Sequence, residues 1–82
     1  MRIVGEIPHP TCKITLFAWN LKYLIKLERG PIEQTFKVSE MDVTSEEDIK
    51  EMMNGKFLDQ AIARFDEMEA SLAEALEGSS GV

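Results

Sequence analysis

The chain has little of what most catalytic and metal-binding sites are built from. It contains one cysteine and one histidine among 82 residues. A lone cysteine cannot form an internal disulfide, and one Cys with one His falls two ligands short of a structural zinc site. The sequence also contains no Gly-rich phosphate loop and no nucleophile elbow. We therefore expect no catalytic residues, no bound metal and no cofactor.

Long hydrophobic runs are also missing. The longest, from Leu16 to Trp19, is far shorter than the roughly 20 apolar residues that a membrane-spanning helix needs. The segment from Met1 to Glu6 lacks the apolar core of a signal peptide. We therefore expect no membrane insertion and, together with the lone cysteine, a cytoplasmic location.

The net charge of −6 is unevenly distributed. Residues 1–41 contain six Lys or Arg and four Asp or Glu, which gives +2, whereas residues 42–82 contain three and eleven, which gives −8. An acidic, solvated helical surface that keeps a small protein soluble is our preferred interpretation. The alternative is a docking surface for a basic partner. The overall acidity argues against nucleic-acid binding, which depends on neutralising phosphates with Lys and Arg.

The spacing of apolar residues changes between residues 39 and 45. Before this point it alternates with a period of two, and after it the period is near 3.6. We therefore predict one α+β domain over residues 1–82, an antiparallel β-meander of three to four strands followed by two α-helices. The predicted parts are a sheet over 2–38, a short helix over 44–54, a long helix over 57–77 and a tail over 78–82.

The register of the meander is predicted by two criteria that agree. Apolar residues should share one face of the sheet, and opposite charges should lie across from each other. The register that satisfies both pairs Leu16 with Ile25, Lys13 with Glu28, Leu27 with Ile32 and Lys26 with Glu33.

The two helices carry different signals. Thr44 and Glu47 have the spacing of a capping box at the start of the short helix, and Asn54-Gly55 is a typical helix end. In the long helix, apolar residues recur every seven positions. One row contains Leu58, Phe65 and Leu72, and the second contains Ala61, Met68 and Ala75 with Ile62 and Leu76 beside it. This repeat requires a surface to pack against, either the apolar face of the sheet or another chain.

The opposite face of the sheet is mostly charged but carries Phe17, Trp19 and Leu24. Such a cluster on an open face would be an unusual apolar patch. Our first expectation is that the short helix covers it through Ile49, Met52 and Met53. A second copy of the chain is a close alternative, and a ligand or another protein is the third.

His9 and Cys12 are the remaining pair with chemical potential. A Cys–His nucleophile would need a lowered thiol pKa and an oxyanion hole. Cys12 lies on the apolar row of its strand, where a free cysteine usually behaves as a small hydrophobe. We therefore regard a small enzyme or metal binder that uses these two residues as the least favoured function.

The favoured function is a small non-enzymatic interaction or structural domain that forms a homodimer. Self-association through the sheet or the helix would suit a small chain that has no disulfide or metal to stabilise it. The alternative is a regulatory module that docks a basic protein through its acidic helical half. The candidate interface residues are Phe17, Trp19, Leu24, Leu58, Phe65 and Leu72.

Overall fold

The first half of the chain forms one antiparallel sheet in a computed structural model that describes residues 1–43 and 45–80. The four strands follow each other in sequence order across the sheet, β1-β2-β3-β4. The α+β prediction of a meander followed by helices is confirmed. The strands are β1 Arg2–Ile7, β2 Lys13–Trp19, β3 Lys22–Arg29 and β4 Ile32–Ser39.

Strands β2 and β3 pair in the predicted register, with Leu16 opposite Ile25 and Lys13 opposite Glu28. Their connection is the two-residue turn Asn20-Leu21, in which φ is 52° and 62°. Positive φ at both central residues is typical of the tight hairpin turn whose twist matches that of the strands. Leu21 is therefore a bulky side chain held in a left-handed conformation that glycine would adopt without strain.

The predicted register of β3 with β4 was wrong by two residues. Leu27 lies opposite Gln34 instead of Ile32, because the turn contains only Gly30 and Pro31. Gly30 has a φ of 59°, which suits the first central position of a two-residue hairpin. A shift of two residues keeps every side chain on its original face, so the hydrophobic pattern cannot distinguish the two registers.

The charged pair predicted for β3 and β4 is displaced in the same way. Lys26 lies opposite Thr35, and Glu28 lies opposite Glu33. The Lys26 ammonium still reaches the Glu33 carboxylate diagonally, at 3.2 Å, and the Glu28 carboxylate at 3.9 Å. Lys26 thus lies between Glu28 and Glu33 and offsets the repulsion between their carboxylates across the strand pair.

A bulge in β1 reverses the facing of its first residues. Ile3 pairs with Phe17 and Gly5 pairs with Leu16, which leaves Val4 as the extra residue. Val4 packs against the core. Ile3 shares the opposite face with Phe17, because residues directly across a pair point to the same side.

Helices α1 (Glu46–Met52) and α2 (Lys56–Ser80) follow one turn of 3₁₀ helix. The N-cap of α1 is Ser45, whose side chain makes no capping hydrogen bond. Thr44, the predicted cap, lies outside the described residues. Helix α2 includes residues 78–80, which the sequence pattern assigns to the tail. Residues 81–82 of that tail lie outside the described residues.

Both helices pack on the same face of the sheet. Ile49 and Met53 join Phe65 in the fully buried core. The prediction that α1 covers Phe17, Trp19 and Leu24 was therefore wrong. Only residues 53–55 connect the two helices, and about 10 Å of chain is too short to pass around a sheet. The core cluster consists of Ile14, Leu16, Ile25, Leu27, Ile32, Ile49, Met53, Leu58, Ala61 and Phe65.

Helix α2 runs antiparallel to β4 and is attached along only part of its length. The Phe57 ring packs edge-on against Phe36 with centroids 4.9 Å apart, and the Gln34 side chain donates to the Ala61 carbonyl at 2.7 Å. The last attachment is Arg29 at the end of β3, which reaches Asp66 and Glu69. Residues 69–78 are exposed, so the C-terminal part of α2, here called the projecting half (residues 70–80), extends beyond the Gly30 end of the sheet.

The two parts of α2 predict different costs for truncating an apolar side chain. Phe65→Ala should lower the free energy of unfolding by about 3–5 kcal/mol, because it leaves a cavity in a fully buried site. Leu72→Ala should lower it by less than about 1 kcal/mol, because Leu72 is solvent-exposed on the projecting half. Urea unfolding of both variants measures the difference. Equal losses would contradict the described packing of α2.

The strained turn predicts a stabilising substitution. Leu21→Gly should raise the free energy of unfolding by about 1 kcal/mol, because glycine tolerates the positive φ. Leu21→Ala is the matched control, since it also removes the exposed side chain but keeps the Cβ that causes the strain. Urea unfolding should rank Gly above Ala, and the reverse order would contradict the left-handed conformation.

Candidate functional site

The outer face of the sheet, opposite the helices, carries an apolar row that crosses β1, β2 and β3 and ends at a lysine on β4. Ile3 pairs with Phe17, Phe17 with Leu24, and Leu24 with Lys37. Trp19 and Lys22 form the next pair toward the Asn20-Leu21 turn. We call this surface the Trp19 face, and it consists of Ile3, Phe17, Trp19, Lys22, Leu24 and Lys37.

Neither helix covers the Trp19 face. Trp19 is 51% exposed and Ile3 is 66% exposed, whereas Leu24 is buried by its neighbours. A depression of about 230 Å³ beside them is lined in part by Met1, Phe17 and Leu24. Large contiguous apolar patches on protein surfaces are typical of interaction sites, and tryptophan is enriched among the residues that dominate binding energy. The Trp19 face is therefore the candidate site of this chain.

The charges on the outer face divide it into two halves. Toward the Gly30 turn, Lys13 pairs with Glu6 at 3.8 Å, and Lys26 lies between Glu28 and Glu33. Toward the Asn20 turn, Lys22 and Lys37 have no acidic group within 4.0 Å in the described part of the chain. The Trp19 face is therefore apolar with a net positive charge.

The structure divides the six predicted interface residues among three places. Phe17, Trp19 and Leu24 lie together on the outer face. Leu58 and Phe65 are buried against the inner face and are unavailable to a partner. Leu72 is alone among the six in lying on the projecting half of α2. The N-terminal part of the long helix therefore packs within its own chain.

Sequence reasoning missed two members of the outer face. Alternation with period two predicts Ile3 on the same face as Ile7, which is wrong, because Ile3 pairs with Phe17 on the outer face and Ile7 pairs with the buried Ile14. The same pattern gives Met1 no role in the sheet. Both positions depend on the bulge at Val4, which reverses the facing of the residues before it. The available signal was Gly5, since glycine inside a strand often marks a bulge.

The projecting half of α2 presents a second apolar surface. Leu72 is 38% exposed and Leu76 is 60% exposed, four residues apart on one side of the helix. Met68 continues this stripe toward the core, where it is half-buried. Every charged residue from position 65 to the end of the sequence is acidic, namely Asp66, Glu67, Glu69, Glu74 and Glu77.

His9 and Cys12 line an open groove of about 560 Å³ at the β1–β2 connection. The His9 Nδ1 accepts a hydrogen bond from the Thr11 amide at 3.1 Å and lies 3.9 Å from the Cys12 Sγ. Burial raises the pKa of the Cys12 thiol, which a hydrogen bond from Thr11 only partly offsets. The thiol is therefore protonated and poorly nucleophilic at neutral pH.

The described ranges contain neither a cluster of metal ligands nor a membrane-spanning helix. Within residues 1–43 and 45–80, no group of three or more His, Cys, Asp or Glu side chains lies close enough to hold a metal ion. No helix in the same ranges combines the length and apolarity needed to cross a bilayer. Comparisons of the chain with models of known protein families, with curated proteins and with solved structures found no match.

The environment of Cys12 predicts slow alkylation. In the folded protein at pH 8, iodoacetamide should modify Cys12 several-fold more slowly than in urea, because the raised thiol pKa lowers the thiolate fraction. Mass spectrometry over time measures both rates. His9→Ala should change the folded-state rate little. A folded rate above the unfolded rate, lost in His9→Ala, would instead identify an activated Cys–His pair.

Proposed function

We propose that the chain is a non-enzymatic interaction domain that self-associates by burying the Trp19 face, with a homodimer as its smallest assembly. The observation that carries this proposal is the uncovered apolar row from Ile3 to Leu24 beside the exposed Trp19. Both helices pack on the opposite face of the sheet and leave this row uncovered. The domain therefore has an uncovered apolar surface on a four-stranded sheet.

The energetic argument is the burial of large side chains at the centre of the face. Removing apolar surface from water contributes about 25 cal/mol per Å². A tryptophan presents on the order of 200 Å², so completing the burial of Trp19 and Ile3 supplies a few kcal/mol. The lysines at the rim keep the free protein soluble without interrupting the apolar row.

A second candidate function is supported by the charge of α2. The projecting half and the helical turn before it carry five acidic residues and no Lys or Arg, and two of the five, Asp66 and Glu69, pair with Arg29. The exposed Leu72 and Leu76 lie in the same segment. This combination suits a basic amphipathic helix of another protein. Binding of a Lys/Leu helical peptide that weakens with salt and is unchanged by Trp19→Glu would favour this function over self-association.

The proposal predicts the effect of a charge placed on the face. Trp19→Glu should weaken self-association by about 30-fold or more, because it puts a carboxylate at an interface centre worth about 2 kcal/mol. Sedimentation velocity from low to high micromolar concentration measures the change. Met41→Glu is the control, since Met41 is also exposed but lies on the 3₁₀ turn outside the face. Wild-type protein that stays monomeric throughout would contradict the proposed function.

A further inference from the structure

We infer that the Trp19 face is occupied by the projecting half of α2 from a second copy, so that the chain associates head to tail. This inference rests on the proposed self-association and adds the surface that meets the face. It uses both apolar surfaces that the fold leaves exposed, one on the sheet and one on the helix. Three observations support it, namely shape, charge and position.

The shapes of the two surfaces fit. The projecting half contains 11 residues and is about 16 Å long, close to the width of four strands spaced about 4.8 Å apart. Its exposed leucines, Leu72 and Leu76, have Ala73 and Ala75 as neighbours. Small neighbours let a helix approach a flat sheet closely. Leu58 and Phe65 of the same heptad row already pack against the inner face of the sheet, where α2 runs along β4. In the proposed contact the projecting half lies across the strands, as the apolar row of the Trp19 face does.

Charge favours contact between the Trp19 face and the projecting half over the two symmetric contacts, face with face and helix with helix. Face against face would bring Lys22 and Lys37 of one copy near the same lysines of the other. Helix against helix would bring together two segments in which the only charged residues, Glu74 and Glu77, are both acidic. Face against helix combines opposite signs, which favours encounter and suppresses the alternatives.

The positions of the two surfaces make the contact intermolecular and directional. Arg29 fixes α2 at the Gly30 end of the sheet, and the helix projects outward from there. Trp19 lies at the other end, beside the Asn20-Leu21 turn. A chain therefore cannot cover its own face. Each contact uses one face and one helix, so association continues beyond a dimer with rising concentration unless a ring closes.

A complementation experiment with two full-length variants tests the inference. The face variant is Trp19→Glu, which keeps its helix, and the helix variant is Leu72→Glu with Leu76→Glu, which keeps its face. Each alone should associate at least about 30-fold more weakly than wild type. In sedimentation velocity, an equimolar mixture should form a heterodimer in which the helix of the face variant binds the face of the helix variant. No larger species should form, because the two surfaces left over both carry the glutamate substitutions.

The controls separate a lost interface from a lost fold. Met52→Glu places a carboxylate on α1 at a position 36% exposed, close to the 38% of Leu72, and should leave association unchanged. Circular dichroism melts should show that all variants fold. If the helix variant associates like wild type while the face variant does not, self-association stands and the head-to-tail inference is overturned. A mixture that stays monomeric also overturns it, and a monomeric wild type overturns both proposals.

Discussion

The short connection between the two helices is the constraint on which the rest of the structure depends. Because residues 53–55 alone separate α1 from α2, both helices must lie on one face of the sheet. Ile49, Met53 and Phe65 then meet in a single core with the inner residues of β2 and β3. The outer face receives no cover from the helices, although it carries Trp19 and Phe17. The exposure of this face is thus a direct consequence of how the core is closed.

Arg29 determines where the second exposed surface begins. Its guanidinium donates to Asp66 and Glu69, each at 2.9 Å, and lies 5.0 Å from the centroid of the Phe65 ring. The pKa of Arg29 is raised, chiefly because the Asp66 carboxylate accepts its hydrogen bond. These two hydrogen bonds are the last contact that attaches α2 to the sheet. Beyond it Leu72 and Leu76 continue the apolar repeat and are 38% and 60% exposed.

Much of this architecture could be predicted from the sequence, because alternation with period two assigns each strand residue to a face. That logic correctly grouped Phe17, Trp19 and Leu24 and correctly paired β2 with β3. It failed where two alternative structures place the same residues on the same faces of their strands and helices. A two-residue shift of β4 and the side of the sheet taken by α1 leave the apolar pattern unchanged, so turn length and linker length decided them. The bulge at Val4 added Ile3 to the outer face by breaking the alternation itself.

The seven-residue repeat of α2 shows a similar limit. Leu58, Phe65 and Leu72 belong to one row, yet the first two are buried within the chain and the third is exposed. The repeat specifies which side of the helix is apolar but not where the sheet beneath it ends. That boundary is set by strand length and by the position of Arg29, which are properties of the assembled fold.

The central claim is that the outer face is open in the isolated chain and buried in the assembly. Trp19 is the single tryptophan of the sequence, so its fluorescence emission reports on this face alone. Emission recorded from nanomolar to high micromolar protein should begin at the long wavelength of a solvated indole and move to shorter wavelength as copies associate. Short-wavelength emission at every dilution would show that the monomer covers the face, and emission that stays long at every concentration would show that nothing does.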